Sequence, residues 1–392
     1  MSRDGRLTKV FSTRHLRWYQ LDWHVLAIAL ALLALGMVFV HGVAASKANQ
    51  LSGDVSFAAH RQKVLVTLPL LVGATCVRPA WLRRNATWLY VGCLGLLVLV
   101  YLVGDERNNA RRWIQLPRFD LQPSELAKVG VILVLARLLA ENRLRSVEGW
   151  IVPLAAVALP ALLVAGQPDL GTAMTLVPLS LGMLYLAGAR ARAIAGLCLT
   201  GLLVGWLAVG AGWVRDYQLE RVDTWLASFE PEDLVRNRNG TAFHLYHARV
   251  VAGNGGLLGR GLGEGVANET GLLPERESDS IFMVVAEEAG FVGAVAVILL
   301  YGALVVLLML SAAALRDRFA RLVVGGVGLY FASHLIINVS VNLGLLPMTG
   351  LTLPLFSTGG SSLLATFLAL GIALGTASHR ELRLDQDAFR AY

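Results

Sequence analysis

Residues 273–290 read LPERESDSIFMVVAEEAG, and FVGAVAVILLYGALVVLLMLSA follows over 291–312. A polar, acidic stretch turns here into an apolar run longer than the ~20 residues that a helix needs to cross a bilayer. Asp279 stands at the threshold, and Glu287 and Glu288 lie two turns further in. Carboxylates at that depth are costly, and such a cost points to function.

The rest of the chain has the same character. Of its 392 residues, 56% are hydrophobic and 16% charged, and the mean hydropathy is +0.60. A soluble chain carries about a quarter charged residues. The apolar residues fall in long blocks, which predicts an all-α, polytopic integral membrane protein. Ten spans are expected, at about 23–44, 64–82, 86–104, 123–140, 150–166, 172–188, 194–213, 281–312, 322–342 and 361–378. Pro69 and Pro178 fall inside spans, where neighbouring helices or water can re-satisfy the backbone groups they free. Residues 1–21 are basic but lack the short apolar core and cleavage site of a signal peptide. Cys76, Cys93 and Cys198 form neither a disulfide framework nor a CxxC pair and read as buried small hydrophobes.

The net charge of +7 does not indicate nucleic acid, because the arginines cluster in short loops. Arg3, Arg6, Lys9, Arg14 and Arg17 precede the first span. Arg78, Arg83 and Arg84, then Arg143 and Arg145, then Arg190 and Arg192, then Arg316, Arg318 and Arg321 fill alternate loops. Arg380, Arg383 and Arg390 follow the last span. With ten spans these segments share one side, which is cytoplasmic by the positive-inside rule. The expected organisation is a cytoplasmic tail 1–22, a transmembrane domain 23–378 and a cytoplasmic tail 379–392. The extracytoplasmic side holds 45–63, 105–122, 167–171, 343–360 and the long loop 214–280. Loops of that length tend to be functional, and Thr241–Val251 within it reads as an interfacial amphipathic helix.

Several polar groups lie on that outer side. Glu125 and Lys128, at i and i+3, share a helix face behind Pro123. They form either a self-contained pair or one wall of a polar cavity. Arg112 and Trp113 read as an interfacial anchor or, with Arg111 and Arg118, as an anion-binding group whose guanidinium forks suit pyrophosphate. Asp169 is placed to N-cap the sixth span or to face the same cavity. The glycine-rich run 253–265 has no GK[ST] ending, so it is no nucleotide P-loop. It reads as flexible backbone beside a bulky ligand. Ser357, Gly359, Gly360 and Ser361 lie in a helix-breaking stretch whose N–H groups could hold an anion at the last span. Asp279 is either the N-cap of the eighth span or a partly desolvated general base. Glu287 and Glu288 are expected to pair internally, with Lys128 or Arg112.

Together these stretches resemble the SEDS family (shape, elongation, division and sporulation), the RodA-, FtsW- and SpoVE-like proteins. The resemblance runs through RRW and QPSELAK within 111–128, QPDLGTA at 167–173 and GGLLGRGLGEG at 255–265. It continues through LPERESD-x-IF…EE-x-G at 273–290 and NLGLLPMTGLTLPLFSTGGSS at 342–362. QPDLGTA leans toward RodA. The resemblance implies an inverting peptidoglycan glycosyltransferase that polymerises lipid II outside the bacterial cytoplasmic membrane, beside a class B penicillin-binding protein. It puts the essential aspartate at Asp279, the cavity lysine at Lys128 and the arginine of RW at Arg112. Trp113, Glu125, Asp169, Glu275, Ser357, Gly359, Gly360 and Ser361 are expected beside them on the substrate side. A divalent cation, Mg or Mn, is a possible helper. The alternative is a lipid II transporter or a non-catalytic scaffold. Departures are Ser280 where the family usually has Phe, His244 and His247 where it has glutamines, His334 for Gln and Thr358 for Tyr. The histidines are amide replacements, or a pH-sensitive or metal-binding addition.

Overall fold

The computed structural model describes residue 10 and residues 21–379, except 54, 108, 109, 117, 118, 143, 145 and 213. Both expected tails lie almost wholly outside the described residues, as do Arg118, Arg143 and Arg145.

The chain is an all-α membrane protein. In order, its long helices are α1 (Trp23–Ala45), α3 (Phe57–Thr75), α4 (Pro79–Val103), α5 (Pro123–Glu141), α6 (Val147–Gly166), α7 (Leu170–Leu186) and α8 (Ala191–Gly210). After the long loop come α14 (Gly290–Ala313), α15 (Arg318–Asn342) and α16 (Gly360–Ser378). Among the described residues, seven helices are long and apolar enough by themselves to cross a membrane. The three long helices outside that set, α3, α5 and α7, overlap the remaining expected spans. Helix α3 is polar at its start, with His60, Arg61, Gln62 and Lys63, α5 carries Glu125, Lys128, Arg137 and Glu141, and α7 has only 17 residues.

Some boundaries differ from the hydropathy reading. Helix α3 starts at Phe57 rather than near 64, because Ser56 Oγ accepts from Ala59 N and caps it. Helix α4 starts at Pro79, where a missing N–H costs nothing. The expected span 281–312 is two helices, α13 (Ile281–Glu288) and α14. Gly290 adopts φ +69° between them. The break exposes carbonyls, and the glycine-rich run satisfies them: Arg260 N donates to Glu287 O and Gly261 N to Glu288 O, both at 3.0 Å. A Cβ on Gly259 would sit 2.1 Å from Glu288 O. Gly255 and Gly259 therefore allow close backbone packing on the break.

Helices α5, α15 and α16 form the centre. Most residues of all three are buried, and α8 lies at the edge with no buried residue. Cys198, on α8, is exposed rather than buried. Between α4 and α5, β1 (Asp105–Arg107), β2 (Ala110–Leu116) and β3 (Phe119–Leu121) make a small antiparallel sheet in that order. The remaining short helices are α2 (Lys47–Ser52) and, in the long loop, α9 (Asp216–Ala227), α10 (Pro231–Arg236), α11 (Phe243–Asn254) and α12 (Val266–Thr270). Helix α11 is the expected amphipathic segment, displaced by two to three residues. The irregular stretch 343–359 dips into the bundle. Leu353, Leu355 and Phe356 are buried, and Phe356 backbone lies where a Cβ on Gly36 of α1 would be. Non-helical backbone at this depth is tolerated because protein, not lipid, surrounds it.

Candidate active site

Asp279 sits in the last turn of the long loop, one residue before the Ser280 that opens α13. The turn is strained, since Glu275 takes φ +47°, a conformation that costs non-glycine residues energy. It is closed by Ser278 N and Ser280 N, both donating to Glu275 O at 3.0 Å.

Two neighbours grip this turn. From α15, Asn338 Nδ2 and Asn342 Nδ2 each donate to the Asp279 carbonyl at 3.0 Å. From the irregular stretch, Ser357 Oγ donates to Ser278 O at 2.6 Å and Thr358 N donates to Glu277 O at 3.1 Å. Gly350 crosses the carboxylate at φ +67°, and a Cβ there would approach Asp279 Oδ2 to 3.2 Å. The side chain is half-buried. Burial, reinforced by the negative charges of Glu275, Glu277 and Asp169, pushes its pKa up to about 7, against a smaller opposing hydrogen bond from Ser278. Loss of solvation and like charges both disfavour the ionised form. The result is a carboxylate that takes up and releases a proton near neutral pH, as a general base must. Asp279 is not the N-cap of α13: that place is Ser280, which makes no side-chain cap bond.

Lys128 lies deeper, on α5, with no exposed surface. Its ammonium donates to Glu125 Oε1 at 2.7 Å and faces His334 Nε2 at 2.9 Å, with the Tyr330 ring 5.5 Å away. The Glu125–Lys128 pair is thus real, and a polar residue of α15 completes it. Asp169 caps α7 through Thr172 N and also accepts from Gln122 Nε2 at 2.9 Å and Ser124 Oγ at 3.1 Å. Arg112, on β2, donates to the carbonyls of Gln167 and Pro168. It straps the sheet to the α6–α7 turn with part of the fork expected to hold an anion. Trp113 lies beside it in β2, half-buried and paired in register with Asp105. Ser361 Oγ accepts from Gln122 N and donates to Asp120 O, so its hydroxyl, like that of Ser357, serves backbone. Gly360 opens α16 with the Lys63 stem 3.4 Å from where its Cβ would be.

The family model described as "Cell cycle protein", covering FtsW, RodA and SpoVE, matches residues 22–382. This chain belongs to the SEDS family. A curated relative from Halorhodospira halophila, "Probable peptidoglycan glycosyltransferase FtsW", is 38% identical over 91% of this chain and 90% of its own. A solved chain from "Structural coordination of polymerization and crosslinking by a peptidoglycan synthase complex" superposes with a TM-score of 0.76 at 30% identity, covering 93% of this chain and 99% of that one. The crystal structure of the Thermus thermophilus rod shape determining protein RodA gives 0.68 at 30% identity, over 92% and 98%.

In this SEDS protein, two of the departures from the family pattern touch each other. Ser280 Oγ and His244 Nε2 are 2.9 Å apart. Burial holds the His244 pKa down at about 4, partly offset by a hydrogen bond to the Pro274 carbonyl and with a smaller lowering from His247. The neutral ring therefore clamps α11 onto the aspartate's turn. His247 instead packs on Phe243 and Tyr246. Glu287 and Glu288 do not pair with Lys128 or Arg112. Glu287 accepts from Ala267 N at 2.9 Å and Asn254 Nδ2 at 3.3 Å, and Glu288 accepts from Asn268 Nδ2. Helix α13 turns these carboxylates toward the glycine-rich loop and α12, where amides are their partners. Among the described residues no group of three or more His, Cys, Asp or Glu side chains could hold a metal ion. A cavity of about 380 Å³ lined by Asp216, Glu220, Asp223 and Asn237 in the long loop includes none of the expected site residues.

The contacts that sequence reasoning missed are those of Asn338 and Asn342 to the Asp279 carbonyl and of His334 to Lys128. Polar residues at 334, 338 and 342, spaced i, i+4, i+8 in an apolar span, were the available signal.

Proposed function

We propose that this SEDS protein is a peptidoglycan glycosyltransferase that polymerises lipid II at the outer face of the bacterial cytoplasmic membrane, in cell elongation or division. Asp279 is the general base. It takes the proton from the 4-hydroxyl of the acceptor sugar as that oxygen attacks the anomeric carbon of the lipid-linked donor, with inversion. The undecaprenyl pyrophosphate departs, and the positive potential of Lys128 and Arg112 offsets the charge it gains. Lys128 is sealed from solvent, so its charge acts through the low-dielectric interior rather than by direct exposure. Lipid-linked donor and acceptor explain why the carboxylate stands at the membrane boundary. Both termini are then cytoplasmic, with the 214–280 loop outside beside a class B penicillin-binding protein.

The observation that carries this reading is Asp279 itself: a carboxylate whose pKa is pushed up to about 7, held by its backbone on two sides and crossed by Gly350. The names of the relatives support the same activity. The test is purified protein with its penicillin-binding partner and fluorescent lipid II. Wild type gives glycan ladders and Asp279→Ala gives none; equal ladders from both overturn the assignment.

A further inference from the structure

Lys128 has only donors to offer, so the histidine nitrogen it faces must present a lone pair. His334 Nε2 is therefore unprotonated, and its ring proton is on Nδ1. That nitrogen lies 3.2 Å from the Thr352 carbonyl, which can only accept. One tautomer satisfies both ends. His334 is completely buried, and its charged and titratable surroundings are Lys128 and Glu125 from α5 and Tyr330 from its own helix.

The next residues on the same stripe of α15 continue the pattern. Asn338 Nδ2 donates to Leu351 O at 2.6 Å, the carbonyl adjacent to Thr352, and also to Asp279 O. Asn342 Nδ2 donates to Asp279 O and to Asn338 Oδ1. A single helix face thus holds Lys128 at one end and the Asp279 turn at the other. The eight residue steps from His334 to Asn342 rise about 12 Å. Consecutive carbonyls of the irregular stretch, 351 and 352, are stitched along it. An α-helix is stiff over two turns, so the stripe fixes the separation between the deep cation and the outer carboxylate.

We propose that His334 is a positioning residue for the transfer reaction: as an Nδ1–H imidazole it fixes the Lys128 ammonium to the 351–352 backbone, and with Asn338 and Asn342 it sets Lys128 and Asp279 in register. This rests on the glycosyltransferase reading and adds a residue that touches neither sugar nor pyrophosphate. The chemistry required is an acceptor toward Lys128 and a donor toward Thr352. Glutamine has both, on a side chain of suitable length. Methionine has nearly the volume of glutamine and neither group.

The experiment compares His334→Gln and His334→Met in the lipid II polymerisation assay, with wild type and Asp279→Ala alongside and thermal melting of each protein. His334→Gln is expected within about threefold of wild type. His334→Met is expected to be at least about tenfold slower, the effect of removing a hydrogen bond to a charged group, while the folded protein is recovered. Where His334→Met is not recovered from membranes, His334→Asn replaces it, since its amide is one methylene too short to reach both partners. Equal rates for the glutamine variant and the folded methionine or asparagine variant overturn the inference, as does a folded glutamine variant that is as slow as the other. An inactive wild type, or an active Asp279→Ala, instead overturns the glycosyltransferase reading.

Discussion

As the proposed general base, Asp279 with a pKa pushed up to about 7 would set the pH dependence of the reaction. Only ionised Asp279 can accept a proton, so activity is present above pH 7 and is lost as pH falls through 7. A group of that pKa is ionised in about one molecule in eleven at pH 6 and in about ten in eleven at pH 8. The polymerisation rate should therefore rise about tenfold between those values. A carboxylate at the ordinary 3.8 would give a flat profile over the same range. Burial is the largest cause of the shift and the charge on Glu275 the next. Glu275→Gln removes that charge while keeping the side chain's shape, so it should move the acid limb to lower pH without returning it to the usual carboxylate range. The assay is the initial rate of glycan formation from fluorescent lipid II at half-unit steps from pH 5.5 to 8.5. A rate that does not change between pH 6 and 8, or a limb that Glu275→Gln leaves in place, refutes the reasoning.

Asp279→Asn should abolish polymerisation yet stabilise the fold: a carboxylate raised from 3.8 to about 7 on folding costs stability progressively as pH rises from about 4 to about 7, and the full cost stands above 7. The gain has a ceiling of about 4 kcal/mol at pH 8 and shrinks to about 2 kcal/mol at pH 5; a melting temperature that falls at pH 8 would contradict it. Gly259→Ala places a Cβ against the Glu288 carbonyl at φ +83° and should cost about 2 kcal/mol or more, read as a lowered melting temperature, with an unchanged one counting against the packing role. Ser280→Ala leaves His244 Nε2 without its hydroxyl and should cost about 1–3 kcal/mol, so melting identical to wild type would show that the clamp contributes nothing.

The position of Asp279 was legible because a charge before a long apolar run is a local feature. The Glu125–Lys128 pair and the cap at Asp169 were legible for the same reason: i, i+3 neighbours and N-caps follow from one helix's geometry. The partners of the other charges were not. Glu287 and Glu288 looked like ion-pair members because cations occur elsewhere at similar depth, and their amide partners come from the glycine-rich loop and its flanks, segments without periodicity. The break at Gly290 was hidden because hydropathy sums over residues and does not register one positive φ.

By itself the sequence determined that this is a helical membrane protein with a carboxylate at the threshold of an apolar span, since lipid requires each span to satisfy its own backbone and to show apolar side chains over ~20 residues. The tertiary structure decided what each polar group faces. Lys128 meets His334 across 206 positions of chain, and Asp279 is held by Asn338 and Asn342 of a helix two spans later. Such partnerships depend on how helices lie against one another, and no spacing along a single segment encodes that.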